Sequence, residues 1–314
     1  MAFAPFDDRD GFIWFDGQFV PWREANVHVL THGLHYASAV FEGQRMYGGE
    51  IFALKEHTER LFKSAELLDF TIPYTQGEIN QACIDVCKKN GLSDCYVRPI
   101  AWRGSEMIGV SAQNTTTHVA IAAWDWPSYF DPEQKKKGIR LTYAKFNRPD
   151  PSSAPVHAKA TGLYMICTIS KHAAEREGYA DALFLDTKGN IAEATGANIF
   201  LIRDGVIHTP TPDSFLNGIT RQTVIRLAKE RGYEVVERTI PLAELGSFSE
   251  VFITGSAAEV TPVGEIGEHR FVPGKISLDL MDTMRDWFAG NWWTPRRHCV
   301  LLDGLLPPQD DDLL

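Results

Sequence analysis

Lys159 stands between two alanines in Ala158-Lys159-Ala160-Thr161-Gly162-Leu163-Tyr164, where a loop from Asn147 to His157 runs into a helix-like stretch. A lone lysine is ordinarily a solvated surface charge. Small neighbours let this one enter a crowded site, and Tyr164 five positions on can turn back over the same region. A lysine that forms a Schiff base must be shielded and kept nucleophilic, which a partly apolar junction suits. The second chemical element is Ile191-Ala192-Glu193-Ala194-Thr195-Gly196-Ala197-Asn198-Ile199-Phe200, an acidic residue among small ones leading into an apolar strand. An isolated Glu is usually solvated. Here the glycine and alanines leave room for a flat ring, and a buried Glu193 carboxylate would require a cationic partner. A protonated pyridine nitrogen is such a cation.

Two further places can offer backbone amides to a phosphate. Asn217-Gly218-Ile219-Thr220 opens a helix, and Thr254-Gly255-Ser256-Ala257-Ala258 reads as a strand-to-turn junction. A helix start carries unpaired N–H groups and the positive end of the macrodipole, which suits a dianion. An ordinary glycine turn with a cap looks the same in sequence. Tyr96-Val97-Arg98-Pro99 reads as strand, so Tyr96 and Arg98 share a face at a spacing of two. A structural salt bridge is the competing reading of Arg98. His35 to Arg45 adds aromatic residues beside Gly43. His32 and His35 lack further cysteine or acidic ligands at suitable spacing, so no metal is expected.

The elements that must position these residues follow from length and pattern. A chain of 314 residues is long enough for two moderate cores. With 44% apolar and 23% charged residues it should fold as an ordinary globular protein. The net charge of −10 argues against nucleic acid as the main partner, since phosphate backbones need a basic field. No apolar run is long enough for a membrane span. Asp7, Asp8, Arg9 and Asp10 occupy the place where a signal peptide needs an apolar stretch, so the reading is cytoplasmic. The five cysteines show no two-residue-gap pair, and Cys83 and Cys87, one helical turn apart, read as a buried apolar stripe.

Asp16-Gly17 between Ile13–Phe15 and Gln18–Val20 predicts a hairpin, and Gly48-Gly49 predicts a second. A helix follows over roughly Glu56 to Leu68. Thr75 with Glu78 fits a capping box, after which Ile79, Cys83 and Val86 keep helical spacing until Gly91. Strands are expected over Cys95 to Trp102 and His118 to Trp124. The stretch from Asp125, with two prolines and three consecutive lysines, shows no sustained period and reads as a linker over 125–138. It divides an N-terminal α/β domain, 1–124, from a C-terminal α/β domain, 139–290, with a tail of unassigned role at 291–314. In the second domain, strand signals (Ile139 to Phe146, Ala182 to Asp186, Asn198 to Ile202, Tyr233 to Glu237, Glu250 to Thr254) alternate with helix signals (Gly162 to Glu177, Ile219 to Arg231, Lys275 to Phe288). The chain shows no internal repeat and no dinucleotide-binding or nucleotide-hydrolase glycine fingerprint.

Taken together, the Tyr36 to Arg45 segment, Glu56-His57 with Arg60-Leu61, Tyr96-Val97-Arg98-Pro99, Lys159 with Tyr164, Glu193 to Phe200, Gly218-Ile219-Thr220-Arg221 and Thr254 to Pro262 resemble the branched-chain amino acid aminotransferases of fold type IV. The match runs in order from about Gly11 to Trp287. The resemblance implies a two-domain, mixed α and β architecture. It implies pyridoxal 5'-phosphate carried on Lys159, with Glu193 at the pyridine nitrogen and Tyr164 on the ring hydroxyl. Arg60, the amides of Ile219 and Thr220, and Ser256 with Ala257 would bind the phosphate. Tyr36, Phe41, Trp126 and Tyr129 would line an apolar substrate pocket. Tyr96 and the turn through Ala258 would hold the α-carboxylate, and Arg98 the second carboxylate of glutamate. The implied reaction is a ping-pong exchange of the amino group of leucine, isoleucine or valine with 2-oxoglutarate, in a homodimer or higher homo-oligomer.

The loop Arg103 to Val110 departs from the family pattern and is expected to approach a partner subunit's pocket, which bears on substrate range. The tail after Trp287 matches nothing in the family. Other chemistries share the scaffold, among them D-amino acid and (R)-amine transaminases and aminodeoxychorismate lyase. Tyr36, Arg45 and the Tyr96/Arg98 pair favour the branched-chain reading. A catalytically silent scaffold is disfavoured because Lys159 and Glu193 are both present.

Overall fold

The computed structural model describes residues 5–126, 130, 132–288 and 299–301. It divides into two compact units, Met1–Trp126 with Phe288–Leu314, and Pro127–Trp287. Among the described residues the first unit holds an eight-stranded antiparallel sheet. Its path runs Cys299–Leu301, Glu50–Phe52, Gln44–Tyr47, Cys95–Arg103, Thr117–Trp124, Phe12–Phe15, Gln18–Pro21, and Ala39–Phe41 also pairs with Cys95–Arg103. Both hairpins form where turn chemistry predicts them: Asp16 and Gly17 take φ of 45° and 89°, Gly48 and Gly49 of 54° and 88°. Paired positive φ is what a two-residue turn matched to strand twist demands. Helices Leu54–Leu67 and Gln76–Lys89 pack their apolar faces on this sheet, with Leu61, Ile79, Cys83 and Val86 against Met46, Val97 and Ile121. Thr75 and Glu78 form the complete capping box, and the Cys83–Cys87 stripe is buried.

The second unit is built on a nine-stranded mixed sheet, again among the described residues. Its order is Ile191–Ala194, Asp181–Leu185, Ile139–Tyr143, Glu259–Ile266, Glu250–Gly255, Asn198–Arg203, Val206–Thr209, Val235–Glu237, with His269–Arg270 on Glu259–Ile266. One extra pairing, Glu193 opposite Asn198, joins the first strand of that path to the sixth and closes a ring of six strands. Such closure removes sheet edges and brings distant residues together inside one wall. Helices Met165–Arg176, Ile219–Glu230 and Lys275–Phe288 belong to this part of the chain.

The mixed α and β class agrees with the sequence reading, and several local features differ from it. Within 125–138 the structure has a short helix, Pro132–Lys137, rather than a stretch without secondary structure; Lys135 ties it to Glu259 at 2.9 Å. The expected strand from Ile139 ends at Tyr143 rather than Phe146. The strand Glu259–Ile266 escaped the pattern because Pro262 and Gly264 interrupt it, and both residues ordinarily weaken a strand assignment. No helix among the described residues is long and apolar enough to cross a membrane.

Candidate functional site

In the second unit, Lys159 precedes a 3-10 turn over Thr161–Tyr164, between the buried residues Ala158 and Ala160. The tight turn, closed by Leu163 N–H donating to Ala160 O at 3.2 Å, swings Tyr164 back over the lysine. Lys159 Nζ donates to the Tyr164 hydroxyl at 2.7 Å. The five-residue spacing therefore does what the sequence suggested.

Glu193 is 8% exposed, with Arg148 Nε 3.3 Å and Asn198 Nδ2 3.2 Å from its carboxylate oxygens. Burial pushes its pKa up to about 7, against the opposing pull of the Arg148 and Lys159 charges. Neither cation outweighs the lost hydration.

Asn198 joins the parts of this site. Its Nδ2 donates to Glu193 and to Leu216 O, and its Oδ1 accepts from Gly218 N–H at 3.1 Å. Any Cβ at position 218 would lie 2.2 Å from that Oδ1, so only glycine lets the helix start approach. Asn198 is also the cross-strand partner of Thr254, the residue that opens the Gly255–Ala258 turn. Helix Ile219–Glu230 has no side-chain cap, so no capping residue claims its first amides. Its register is held from behind by Arg221, 1% exposed, which donates to Asn217, Pro210 O and Glu237. Among the described residues the buried Thr254 Oγ1 has no hydrogen-bond partner. Thus Asn198 links Glu193, the helix start at Gly218 and the strand end at Thr254, and Lys159, Tyr164 and Ser256–Ala258 lie in the same unit.

The first unit holds the other sequence candidates. Arg98 Nη2 donates to the Tyr96 hydroxyl at 3.0 Å, and the guanidinium lies 4.7 Å from the Phe41 ring centre. No carboxylate pairs with Arg98 among the described residues, so the salt-bridge reading of it falls away. Tyr96 stacks obliquely on Trp126, ring centres 4.8 Å apart. A Cβ at Gly43 would meet the Tyr96 hydroxyl at 2.0 Å, so any other residue there would displace that side chain. Tyr36 is 46% exposed and stacks on His32. Tyr129 lies outside the described residues. Arg60 uses its Nε and Nη2 on Glu42, at 2.6 and 2.8 Å, and His57 Nδ1 adds a third contact at 2.6 Å. These partners hold the fully buried Glu42 carboxyl well below the usual carboxylate range, against the opposing effect of burial.

Sequence reasoning missed Arg148, Glu42 and the linking role of Asn198. The latter two lay inside segments already singled out. Arg148 sits in the loop before Pro149, and nothing in its local pattern marks it.

The model of the class IV amino-transferases matches residues 39–266. The branched-chain-amino-acid aminotransferase of Pseudomonas aeruginosa is 43% identical over 272 residues, covering 85% of this chain and 89% of that protein. The crystal structure of the branched-chain aminotransferase from the thermophilic archaeon Thermoproteus uzoniensis with norvaline superposes with a TM-score of 0.89 at 34% identity, covering 93% of this chain and 99% of that one. The branched-chain amino acid aminotransferase from Thermobaculum terrenum, in its pyridoxal-phosphate holo form, superposes with a TM-score of 0.85 at 31% identity, covering 93% of this chain and 98% of that one. The chain belongs to the class IV aminotransferase family and, within it, to the branched-chain amino acid aminotransferases.

Proposed function

We propose that the protein transfers the amino group of leucine, isoleucine or valine to 2-oxoglutarate, with pyridoxal 5'-phosphate carried on Lys159. The observation that carries this reading is the pairing of Lys159 and Tyr164 at 2.7 Å in the unit that also buries Glu193. The residues fit the cofactor. A buried carboxyl whose proton affinity is raised calls for a cation such as a pyridinium. The uncapped helix start at Ile219 and Thr220 and the turn at Ser256 and Ala257 suit a phosphate. When bound, pyridoxal phosphate supplies an electron sink for the pair left behind as the α-proton departs. Lys159 Nζ takes that proton and returns it, and the Tyr164 hydroxyl beside it orients the amine. Arg60, aligned by Glu42, adds a guanidinium edge for the phosphate. Phe41 and Trp126, with Tyr36 and Tyr129, serve the apolar side chain, Tyr96 and Ala258 the α-carboxylate, and Arg98 the distal carboxylate of glutamate. This set of groups serves both an aliphatic and an acidic substrate.

A homodimer is part of the same reading. Val27, Val29, Leu30, Leu34, Ile108 and Val110 are all exposed in the single chain. His32 ties their two segments together through Gly109 O at 2.8 Å. An apolar surface of this kind suits a second copy of the chain. A cytoplasmic location is proposed with it. The purified protein should be yellow, borohydride should fix the cofactor mass on Lys159, and leucine with 2-oxoglutarate should yield glutamate. Fixation on another lysine, or failure of the leucine assay, would overturn the reading.

A further inference from the structure

Arg148 belongs to none of the roles above, yet it is 5% exposed and spends its charge beside Glu193. Its backbone N–H donates to Leu185 O at 2.8 Å, its Nη1 to Cys167 Sγ at 3.6 Å, and its guanidinium lies 5.8 Å from the Phe184 ring centre. The head group is therefore held between the helix Met165–Arg176 and the strand Asp181–Leu185. Its Nε is 3.3 Å from Glu193 Oε1, but that N–H reaches no acceptor in hydrogen-bond geometry. The contact is an ion pair acting through charge rather than a clamp.

We infer that Arg148 is a positioning residue that keeps the proton of the Glu193–pyridine pair on the ring nitrogen. The inference rests on the reading that Glu193 faces that nitrogen. A carboxylate and a pyridine compete for one proton, and the less basic the carboxylate, the more of the proton stays on nitrogen. An unassisted buried carboxylate is a poor choice, because low dielectric raises its basicity. A guanidinium in contact with the carboxylate lowers it again, and arginine does this without ever losing its own charge. The other charged groups around the site are Lys159, which acts on Glu193 in the same direction, and Asp181, which is occupied by Thr195, Ala182 N–H and Lys171. Cys167 contributes no anion, since burial pushes its thiol up to about 12.

The test has a cofactor-free arm and a loaded arm. In apoenzyme, the pH at which Glu193 titrates is read from the pH dependence of urea-unfolding stability, with Glu193→Gln as the blank. Arg148→Met should move that midpoint up by about one to three pH units, the usual effect of removing a contacting opposite charge. Arg148→Lys should restore part of it. In holoenzyme, pyridoxal phosphate labelled with nitrogen-15 in the ring should show a protonated nitrogen in the wild type and a resonance moved toward neutral pyridine in Arg148→Met. In the same variant kcat falls and KM for leucine holds. Should Arg148→Met fold poorly, the Arg148→Met/Glu193→Gln double variant should fold better than it, because the unpartnered buried carboxylate is gone. An unmoved midpoint and an unmoved ring resonance in Arg148→Met, with a normal response to Glu193→Gln, would overturn the inference alone. A ring resonance indifferent to Glu193→Gln would instead overturn the placement of Glu193.

Discussion

Two glutamates, one in each unit, are buried to a similar degree and titrate in opposite directions. Glu42 meets Arg60 through two nitrogens and His57 through a third, and its carboxyl stays far below the ordinary range. Glu193 has one guanidinium at 3.3 Å and one amide, and its carboxyl rises to about 7. Burial acts the same way on both, so the number and geometry of partners decide the outcome. A saturated carboxylate such as Glu42 is finished: it fixes the guanidinium of Arg60 and has no capacity for anything else. An undersatisfied one is stable only as an acid or beside a further cation. The contrast separates a structural ion cluster from a site shaped for a missing charge.

The hardest way to break that contrast is to remove the reacting group on the Glu193 side. Lys159→Ala should lose on the order of a thousandfold or more in turnover while keeping the fold, since in the proposed reaction the same amine holds the cofactor and moves the proton. Steady turnover in the absence of added amines, measured with leucine and 2-oxoglutarate, would sink the mechanism. On the other side, Glu42→Ala should cost stability first. Breaking a buried pair from one end typically costs about 3–5 kcal/mol, because Arg60 and His57 are left around an empty place. Urea unfolding of the apoprotein reads this directly. A loss below about 1 kcal/mol would mean the cluster relaxes into water and is not a fixed frame.

A pH series sharpens the same comparison, with the signs opposed. Glu42 is lowered in the folded state, so its contribution is present above its ordinary value of 4.5 and is lost as pH falls. Glu193 is raised from 4.5 to about 7, so the folded state holds the extra proton between those values. Its contribution is full below 4.5 and is lost as pH climbs through 7, a change on the order of 3 kcal/mol. Asp181, also raised by burial, tilts the curve the same way, which is why the informative quantity is the difference from Glu193→Gln. Apoprotein should weaken from pH 5 to pH 8 relative to that variant, and addition of cofactor should flatten the slope. A slope that persists with cofactor bound would show that no cation reaches Glu193.

How far all this was legible in the sequence depended on distance along the chain. The hairpins at Asp16-Gly17 and Gly48-Gly49, the capping box at Thr75 and the Lys159–Tyr164 pair are decided within a few residues, and their chemistry is visible there. Glu193 stood out because small neighbours are unusual around a charge, although its true companion, Arg148, did not. The two meet because the strand Asp181–Leu185 lies beside both: Arg148 N–H donates to Leu185 O, and Leu185 is the cross-strand partner of Ile191. The Pro132–Lys137 helix was hidden for a similar reason: six residues of mostly charged sequence carry no period, and Lys135 is anchored by Glu259, 124 positions away. Arg60 was assigned a role from its resemblance alone, and its firm tie to Glu42 appears only once the strand and helix are packed.

The mildest test asks whether the unit containing Glu42 is only a frame. Arg98 is the residue that decides it. Its guanidinium lies between Phe41 and Tyr96 and bonds the tyrosine hydroxyl at 3.0 Å, a neutral partner that leaves its charge uncompensated by any carboxylate among the described residues. If that charge receives the distal carboxylate of glutamate, Arg98→Ala removes a charge-assisted bond worth about 1.5–3 kcal/mol. Glutamate and 2-oxoglutarate should then lose on the order of tenfold to a hundredfold in kcat/KM, while leucine and its oxo acid change much less. Single-turnover measurements with each amino donor keep the half-reactions apart. An equal loss for both donors would move Arg98 to the shared α-carboxylate, and dual specificity would then need another cation to explain it.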